Sequence, residues 1–162
     1  MVFDNFAEYY VENGIARTIT MDEALQIAKD GERDGRVILV YNSKDGEIMC
    51  SCCSCCCGLM ILAKFMPGPA SEFISNYYCQ VDEFLCTGDC AEICVERCPV
   101  GARQIIDGKL QMDRNKCISC GLCVTICPKG ALSLVRKPDD KIYDPPQTYF
   151  DTNKAMQKYR NI

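Results

Sequence analysis

Two runs of four cysteines, each ending in Cys-Pro, restrict the fold of this chain more than any other feature. The first run consists of Cys86, Cys90, Cys94 and Cys98, and the second of Cys117, Cys120, Cys123 and Cys127. Three thiolates in a tight loop, with a fourth after a short helical turn, are a donor set for an iron–sulfur cube. We therefore expect the chain around each run to wrap a metal cluster.

The high cysteine content has two possible explanations. Fifteen of the 162 residues are cysteine, which is typical of a disulfide-bonded secreted chain or of metal thiolates in a reducing compartment. Residues 1–8 contain no basic segment followed by an apolar run, so no secretory signal is expected. The odd cysteine count and the adjacent cysteines 55–57 fit disulfide pairing poorly. We expect a cytoplasmic protein with no membrane span, since Lys64 and Pro67 end the apolar stretch 58–63.

Composition and charge disfavour several classes of function. The chain has no histidine, so the usual general base at neutral pH is missing and acid–base catalysis is disfavoured. Its net charge is −4, which argues against a nucleic-acid partner and suits docking to a basic patch on another redox protein.

The residues before the first run predict a small α/β unit. Residues 20–34 have an apolar stripe, and Thr20 and Glu23 form a capping-box pattern, which together indicate an amphipathic helix. Residues 36–41 predict a short buried strand, and 59–65 a second helix. This unit is expected to present the cysteine-rich segment 50–57.

The two cysteine runs belong to an internal repeat. Cys-Pro-Val-Gly-Ala at 98–102 recurs as Cys-Pro-Lys-Gly-Ala at 127–131, an offset of 29 residues, whereas the leading cysteines are 31 residues apart. Residues 104–111 contain an Asp-Gly turn between β-prone flanks and predict a hairpin. Residues 131–135 are expected to pair with the strand near 78–81, which makes a pseudo-twofold β-α-β pair.

Residues 78–137 resemble a bacterial-type two-cluster ferredoxin domain, and the second run matches that pattern in full. The longer stretch 15–137 resembles a group of larger ferredoxin-domain proteins, in which a Cys-x-Cys-Cys-x-Cys-Cys-Cys segment precedes the two runs, as 50–57 does here. The expected fold class is α+β, a ferredoxin-like repeat after a small α/β unit. The expected domains are the cysteine-rich unit 1–77, the two-[4Fe-4S] domain 78–137 and a C-terminal tail 138–162.

The resemblance implies two [4Fe-4S] clusters with crossed ligands, because in such ferredoxins the fourth cysteine of each run binds the other cluster. Cluster I would take Cys86, Cys90, Cys94 and Cys127, and cluster II would take Cys117, Cys120, Cys123 and Cys98. A zinc site built from two Cys-x2-Cys pairs is the alternative, which the continuous four-cysteine run ending in proline disfavours.

The first run departs from the family pattern. Asp89 and one residue between Cys90 and Cys94 look inserted, and Ala91 stands where glycine is usual. We expect an intact cube whose potential is changed by the longer loop. The alternative is a degenerate site that holds three irons or none.

Segment 50–57 predicts a third iron–sulfur cluster, although its ligand set stays open. The candidate ligands are Cys50, Cys52, Cys53, Cys55, Cys56, Cys57 and Cys79. The triplet Cys50, Cys53 and Cys56 has ferredoxin-loop spacing, and Cys52 with Cys55 offers a competing register. The fourth ligand would be Cys57 or Cys79. Metallothionein-like buffering of soft metals is the alternative interpretation.

These observations favour an electron carrier, or the electron-transfer subunit of a larger anaerobic oxidoreductase, over an enzyme acting on its own. The expected partners are redox proteins or oxidoreductase subunits. The alternatives are a redox enzyme that binds substrate at the 50–57 centre and a metal-handling or redox-sensing protein. The tail 138–162 has no core pattern, so it either wraps its own domain or a partner, or is disordered.

Overall fold

A computed structural model of the chain describes residues 1–107, 109–152 and 154. These residues form two compact units. The first unit contains 1–34, 38–51 and the described residues from 144 onward, and the second contains 35–37 and 52–143.

The first unit is built on two helices and most of a two-stranded sheet, whose end residues Val37 and Cys52 belong to the second unit. The helices are α1 (Asp4–Glu12) and α2 (Met21–Arg33), and the sheet pairs β1 (Val37–Val40) with β2 (Met49–Cys52). The predicted capping box is present, because the Thr20 hydroxyl accepts from the Glu23 amide and the Glu23 carboxylate accepts from the Thr20 amide. The predicted strand at 36–41 is also present as β1.

The burial predicted for β1 is wrong for most of the strand. Val37 is 1% exposed, but Val40 is 54% exposed. Successive side chains of a strand point to opposite faces, and a two-stranded sheet buries little of its outward face.

The described part of the C-terminal segment packs on the first unit. The Tyr149 ring lies 4.3 Å from the Tyr41 ring, and the Thr152 hydroxyl donates to the carbonyl of Asn42 at 2.9 Å. Thr152 is 8% exposed. Residues 144–152 therefore contribute to the packing of their own chain.

The second unit contains the cysteine runs. Its helices are α3 (Gly58–Phe65), α4 (Ala91–Arg97) and α5 (Leu122–Ile126), with 3-10 turns at Pro69–Ser71 and Asp139–Lys141. Its strands are β3 (Tyr77–Val81), β4 (Arg103–Ile106), β5 (Lys109–Met112) and β6 (Leu132–Arg136).

Both predicted strand pairs are present and antiparallel. β4 and β5 form the hairpin, with Arg103 opposite Met112, and Asp107 in its turn has a φ of 51°. The other residue of the Asp-Gly turn, Gly108, lies outside the described residues. β3 pairs with β6, with Val81 opposite Leu132.

The same backbone hydrogen bonds occur in both copies of the repeat. The amide of Asp82 donates to the carbonyl of Ala131 at 2.8 Å, and the amide of Asp113 donates to the carbonyl of Ala102 at 2.8 Å. Each aspartate carbonyl then accepts from the leading cysteine of its own run, at 2.9 and 3.0 Å. The start of each run is thus tied to the residue that follows the Cys-Pro end of the other run.

Cysteine side chains form part of the core of the second unit. Cys79, Cys94 and Leu132 are between 2% and 4% exposed and pack together. The half-buried side chains around them are Val81, Leu110, Met112, Cys117, Cys123, Val124 and Cys127. Among the described residues, no helix is both long and apolar enough to cross a membrane.

Candidate metal centre

The second cysteine run lies between β5 and β6. The loop that carries Cys117 and Cys120 ends at Gly121, which has a φ of 81° and directly precedes α5. A Cβ at Gly121 would meet the Leu134 side chain at 3.2 Å. Glycine tolerates both the left-handed backbone and the close approach, so the loop can turn directly into the helix that carries Cys123.

Four cysteines taken from both runs line one pocket, together with apolar side chains. The cysteines are Cys98, Cys117, Cys120 and Cys123. The apolar lining includes Val100, Ile118 and Leu122. The Ala102 amide donates to the Cys98 sulfur at 3.2 Å. These are the four cysteines that the resemblance assigns to cluster II.

The electrostatics of this pocket suit a bound cation. Burial raises the pKa of Cys120 to about 12, and the charges of Cys123, Cys98 and Cys117 also raise it. The sulfurs of Cys98, Cys117 and Cys123 therefore lie close enough to oppose the ionisation of Cys120. A coordinating metal reverses this effect because it stabilises the thiolate form. The donor set and the apolar walls fit a thiolate-bound cluster.

The first run is arranged around Cys94, which lies in α4 and is 3% exposed. Burial is the main effect that raises the pKa of Cys94, and the charges of Cys127 and Cys90 act in the same direction. Cys90, Cys94 and Cys127 thus lie within electrostatic range of one another. Cys86 and Cys90 lie within electrostatic range of the Lys129 ammonium. Asp89 is the main cause of the raised pKa of Lys129, and the charges of Cys90 and Cys86 raise this pKa further.

The lengthened loop of the first run is held by a side-chain network. The Lys129 ammonium lies 2.7 Å from the Asp89 carboxylate and also donates to the Thr87 hydroxyl. Gly88, with a φ of 79°, supplies the left-handed turn in this loop. Ala91, the residue in place of the usual glycine, is instead the first residue of α4.

Cys79 lies in β3 beside the second run. Its sulfur is 3.7 Å from the Cys123 sulfur and accepts from the Arg103 guanidinium at 3.1 Å. The hydrogen bond with Cys123 is the largest effect that raises the pKa of Cys79. Cys79 also lines the pocket described above.

Segment 50–57 brings three of its cysteines together. The sulfurs of Cys53, Cys55 and Cys56 all lie within 4.8 Å of one another. Cys50, Cys52, Cys57 and Cys79 are not members of this group, so the structure reproduces neither the triplet Cys50, Cys53 and Cys56 nor the competing register with Cys52. We refer to Cys53, Cys55 and Cys56 as the exposed triad, since Cys55 and Cys56 are exposed and Cys53 is half-buried.

The thiols of the exposed triad differ in acidity. Hydrogen bonds from Cys55 and Cys56 lower the pKa of Cys53 to about 6. Hydrogen bonds with Cys53 and Cys55 raise the pKa of Cys56 to about 11. At Cys57, the N-cap of α3, a hydrogen bond from the Met60 amide lowers the pKa, and the Cys52 thiol acts in the same direction. The thiolate form is therefore favoured at Cys53 and Cys57 and disfavoured at Cys56.

Arg103 is a residue of this site that the sequence analysis missed. It is 2% exposed and donates to the sulfurs of Cys79 and Cys123. The repeat contained the necessary signal. Arg103 stands five residues after Cys98, and Leu132 stands five residues after Cys127, so an arginine occupies a position that is apolar in the other copy.

Comparisons with known proteins identify a 4Fe-4S binding domain in the chain. Residues 110–133 match the family described as 4Fe-4S binding domain. An iron–sulfur protein of Rhodospirillum rubrum is 29% identical over 110 residues, which cover 60% of this chain and 56% of that protein. An uncharacterized ferredoxin of Methanocaldococcus jannaschii is 42% identical over 50 residues, or 31% of this chain and 28% of that protein.

A third relative is named as a subunit of a larger complex. This subunit of an ion-translocating oxidoreductase complex, from Methanosarcina acetivorans, is 42% identical over 41 residues, or 25% of this chain and 16% of that protein. The chain spans little more than half the length of the Rhodospirillum protein and less of the other two. The matches confirm that the chain carries a 4Fe-4S binding domain and has ferredoxins and iron–sulfur proteins among its relatives.

Proposed function

We propose that this chain is an iron–sulfur electron-transfer protein, acting as a carrier or as the electron-transfer subunit of a larger oxidoreductase. The observation that carries the proposal is the pocket lined by Cys98 of the first run and by Cys117, Cys120 and Cys123 of the second. A fourth ligand taken from the other run is the arrangement of two-cluster ferredoxins. The relative named as a subunit of an oxidoreductase complex supports the subunit role.

The proposed ligand sets follow this crossing. Cluster II is assigned to Cys98, Cys117, Cys120 and Cys123, and cluster I to Cys86, Cys90, Cys94 and Cys127. The shared hydrogen-bond pattern of the two copies supports a pseudo-twofold two-cluster domain at 78–137. When bound, the clusters would supply irons that take up and release single electrons.

The chain's own contribution is to hold these sites and to limit water around them. The buried side chains of Val100, Ile118 and Leu122 separate the second site from solvent. Aspartate-anchored turns at Asp82 and Asp113 position the leading cysteine of each run. Amide donors such as Ala102 stabilise thiolate sulfur, which is one of the terms that set the potential of a cluster.

The exposed triad is proposed as the core of a third metal centre. Three sulfurs within 4.8 Å of one another supply three ligands. In this assignment Cys79 stays outside the third centre, because it is packed against Cys123. The fourth position is open to Cys57, which would complete a relay centre, or to an external ligand.

The open position is the basis of a second candidate function. If substrate rather than Cys57 occupies the fourth position of the exposed triad, the chain is a redox enzyme or the substrate-binding part of one. The exposure of Cys55 and Cys56 favours access to such a ligand. Changes in the EPR spectrum on adding candidate disulfide or small-molecule substrates would support this function, and an unchanged spectrum would favour the relay.

Iron and sulfide analysis with EPR of the anaerobically purified full chain tests the main proposal. About twelve irons with matching sulfide are expected if three cubes are present, and about eight if only the two crossed sites are cubes. About eight irons would contradict a third iron–sulfur centre. Zinc in place of iron and sulfide would contradict the electron-transfer function.

A further inference from the structure

The two copies of the repeat differ at one buried position. Arg103 and Leu132 both follow a Gly-Ala pair, and the preceding alanine carbonyls both accept an aspartate amide at 2.8 Å. Both side chains are buried, at 2% and 4% exposure. The backbone environments therefore match, while one copy buries a leucine and the other a guanidinium.

An arginine is an expensive replacement for a buried leucine, because a buried charge needs compensation by partners. The partners of Arg103 are sulfurs. Its Nη2 donates to Cys79 at 3.1 Å and to Cys123 at 3.7 Å. Within the described chain no carboxylate pairs with Arg103, and its buried Nη1 has no hydrogen-bond partner.

The charge of Arg103 also reaches other cysteines. Burial is the largest single effect and lowers the pKa of Arg103, but the interactions with the cysteine sulfurs, led by Cys123 and Cys79, together outweigh it and the pKa is raised. Cys117 acts in the same direction, and the guanidinium opposes the burial that raises the pKa of Cys94. The positive charge therefore faces the second run directly and reaches the first run through space.

We propose that Arg103 is a positioning residue that raises the reduction potential of the site formed by Cys98, Cys117, Cys120 and Cys123. The inference rests on the proposed function, since it requires a cluster at that site. One electron from a redox partner adds one negative charge to the cluster and its thiolates, without a proton and without a change in bonding. A fixed positive charge in a dry interior stabilises the more negative state.

Arg103 also acts more strongly on the potential of one site than on that of the other. Arg103 donates a hydrogen bond to Cys123, a proposed ligand of cluster II, whereas its charge reaches Cys94 only through space. The potential of cluster II is therefore raised more than that of cluster I. Arg103 therefore biases electrons that enter the domain toward cluster II.

The test is a potentiometric titration of the full chain with dithionite, followed by EPR. Arg103→Leu copies the residue of the other repeat. It is expected to shift the midpoint potential of one cluster to a more negative value and to shift that of the other cluster by a smaller amount. Arg103→Gln keeps an N–H donor without the charge and should give much of that shift. Arg103→Lys keeps the charge and should restore most of the wild-type potential.

Arg114→Leu is the matched control, because Arg114 is exposed and contacts the Tyr78 ring. It is expected to leave both midpoints in place, since an exposed charge is screened by solvent. Equal midpoints in wild type and Arg103→Leu at unchanged iron content would overturn the proposal. If Arg103→Leu loses iron, the comparison of Arg103→Gln with Arg103→Lys decides in the same way. Wild-type protein without cubane clusters would instead overturn the proposed function.

Discussion

The carboxylate of Asp89 lies 2.7 Å from the ammonium of Lys129 and joins the inserted part of the first cysteine loop to the Cys-Pro end of the second run. Lys129 is two residues after Cys127, which is the proposed fourth ligand of cluster I. The hydrogen bond from Lys129 is the main effect that lowers the pKa of Asp89. The extra residue in the loop is thus attached to the segment that carries Cys127.

Breaking this ion pair should loosen cluster I. Asp89→Ala and Lys129→Ala are each expected to speed iron release to a chelator by about two- to fivefold, a modest effect because both groups are largely solvated. The combined effect of the double variant should be smaller than the two single effects taken together, since the two residues share the ion pair.

Glu83→Ala is the control for this experiment. Glu83 is an exposed acidic residue of the same loop, and among the described residues it takes part in no ion pair. Its variant should release iron at the wild-type rate. Additive effects of Asp89→Ala and Lys129→Ala would show that the ion pair is not what holds the loop.

The strand pairs of the second unit could be predicted because their signals are local or repeated. Asp-Gly at 107–108 defines the hairpin turn, and the repeat itself pairs the strand before the first run with the strand after the second. The packing of Cys79 against Cys123 could not be predicted, because the β3–β6 register determines it. The exposed triad could not be singled out among the candidate ligands, since spacing along an extended chain does not describe the turn at 53–57.

The role of Arg103 could not be predicted from the sequence for a different reason. Hydrophobic pattern analysis treats an arginine as a surface residue, and isolated buried charges are too rare to expect. Only the comparison with Leu132 identifies the position as buried. An arginine at an apolar position of a repeat is thus a more useful signal than its local sequence.

Cys53 should be the most reactive thiol of the exposed triad in metal-free, reduced protein. Its pKa of about 6 means that the thiolate forms as the pH rises through 6, well below the ordinary cysteine range. Alkylation of Cys53 by iodoacetamide, followed by peptide mass spectrometry, should therefore rise with a midpoint near that pH. Cys56, with a pKa of about 11, should react mainly in alkali.

The donors to Cys53 provide the control. Cys55→Ala removes the hydrogen bond that contributes most to the acidity of Cys53, so the midpoint of Cys53 alkylation should move to higher pH. A wild-type midpoint between pH 8 and 9, the range of an ordinary cysteine, would contradict the arrangement of the triad.

The capping box of α2 should control the opening of that helix. Thr20→Ala removes the hydroxyl that accepts from the Glu23 amide and is expected to cost about 1 kcal/mol of helix stability. Amide hydrogen exchange in the first turns of α2 should become about fivefold faster. Thr18→Ala is the matched control, because it removes the same chemical group outside the helix, and equal exchange rates in the two variants would rule out the capping role.

The last prediction concerns the crossed ligands and the separation of the metal sites. Cys120→Ser should reduce the iron content by about four and remove the EPR signal of cluster II. The exposed triad lies at the turn before α3 and shares no residue with the second site, so its metal should stay in place. Cys98→Ser should remove the same signal as Cys120→Ser, although Cys98 belongs to the other run, because both cysteines line one pocket.

Cys79→Ser is the control that separates a ligand from a neighbour of the same pocket. Cys79 lines the pocket but lies outside the proposed ligand sets, so its variant should keep the full iron content. The reduction potential of cluster II should change in this variant, because the Arg103 guanidinium loses one of its two sulfur partners. If Cys98→Ser removed the EPR signal of cluster I rather than that of cluster II, the result would contradict the crossing of ligands. Loss of all iron in Cys120→Ser would contradict separate sites.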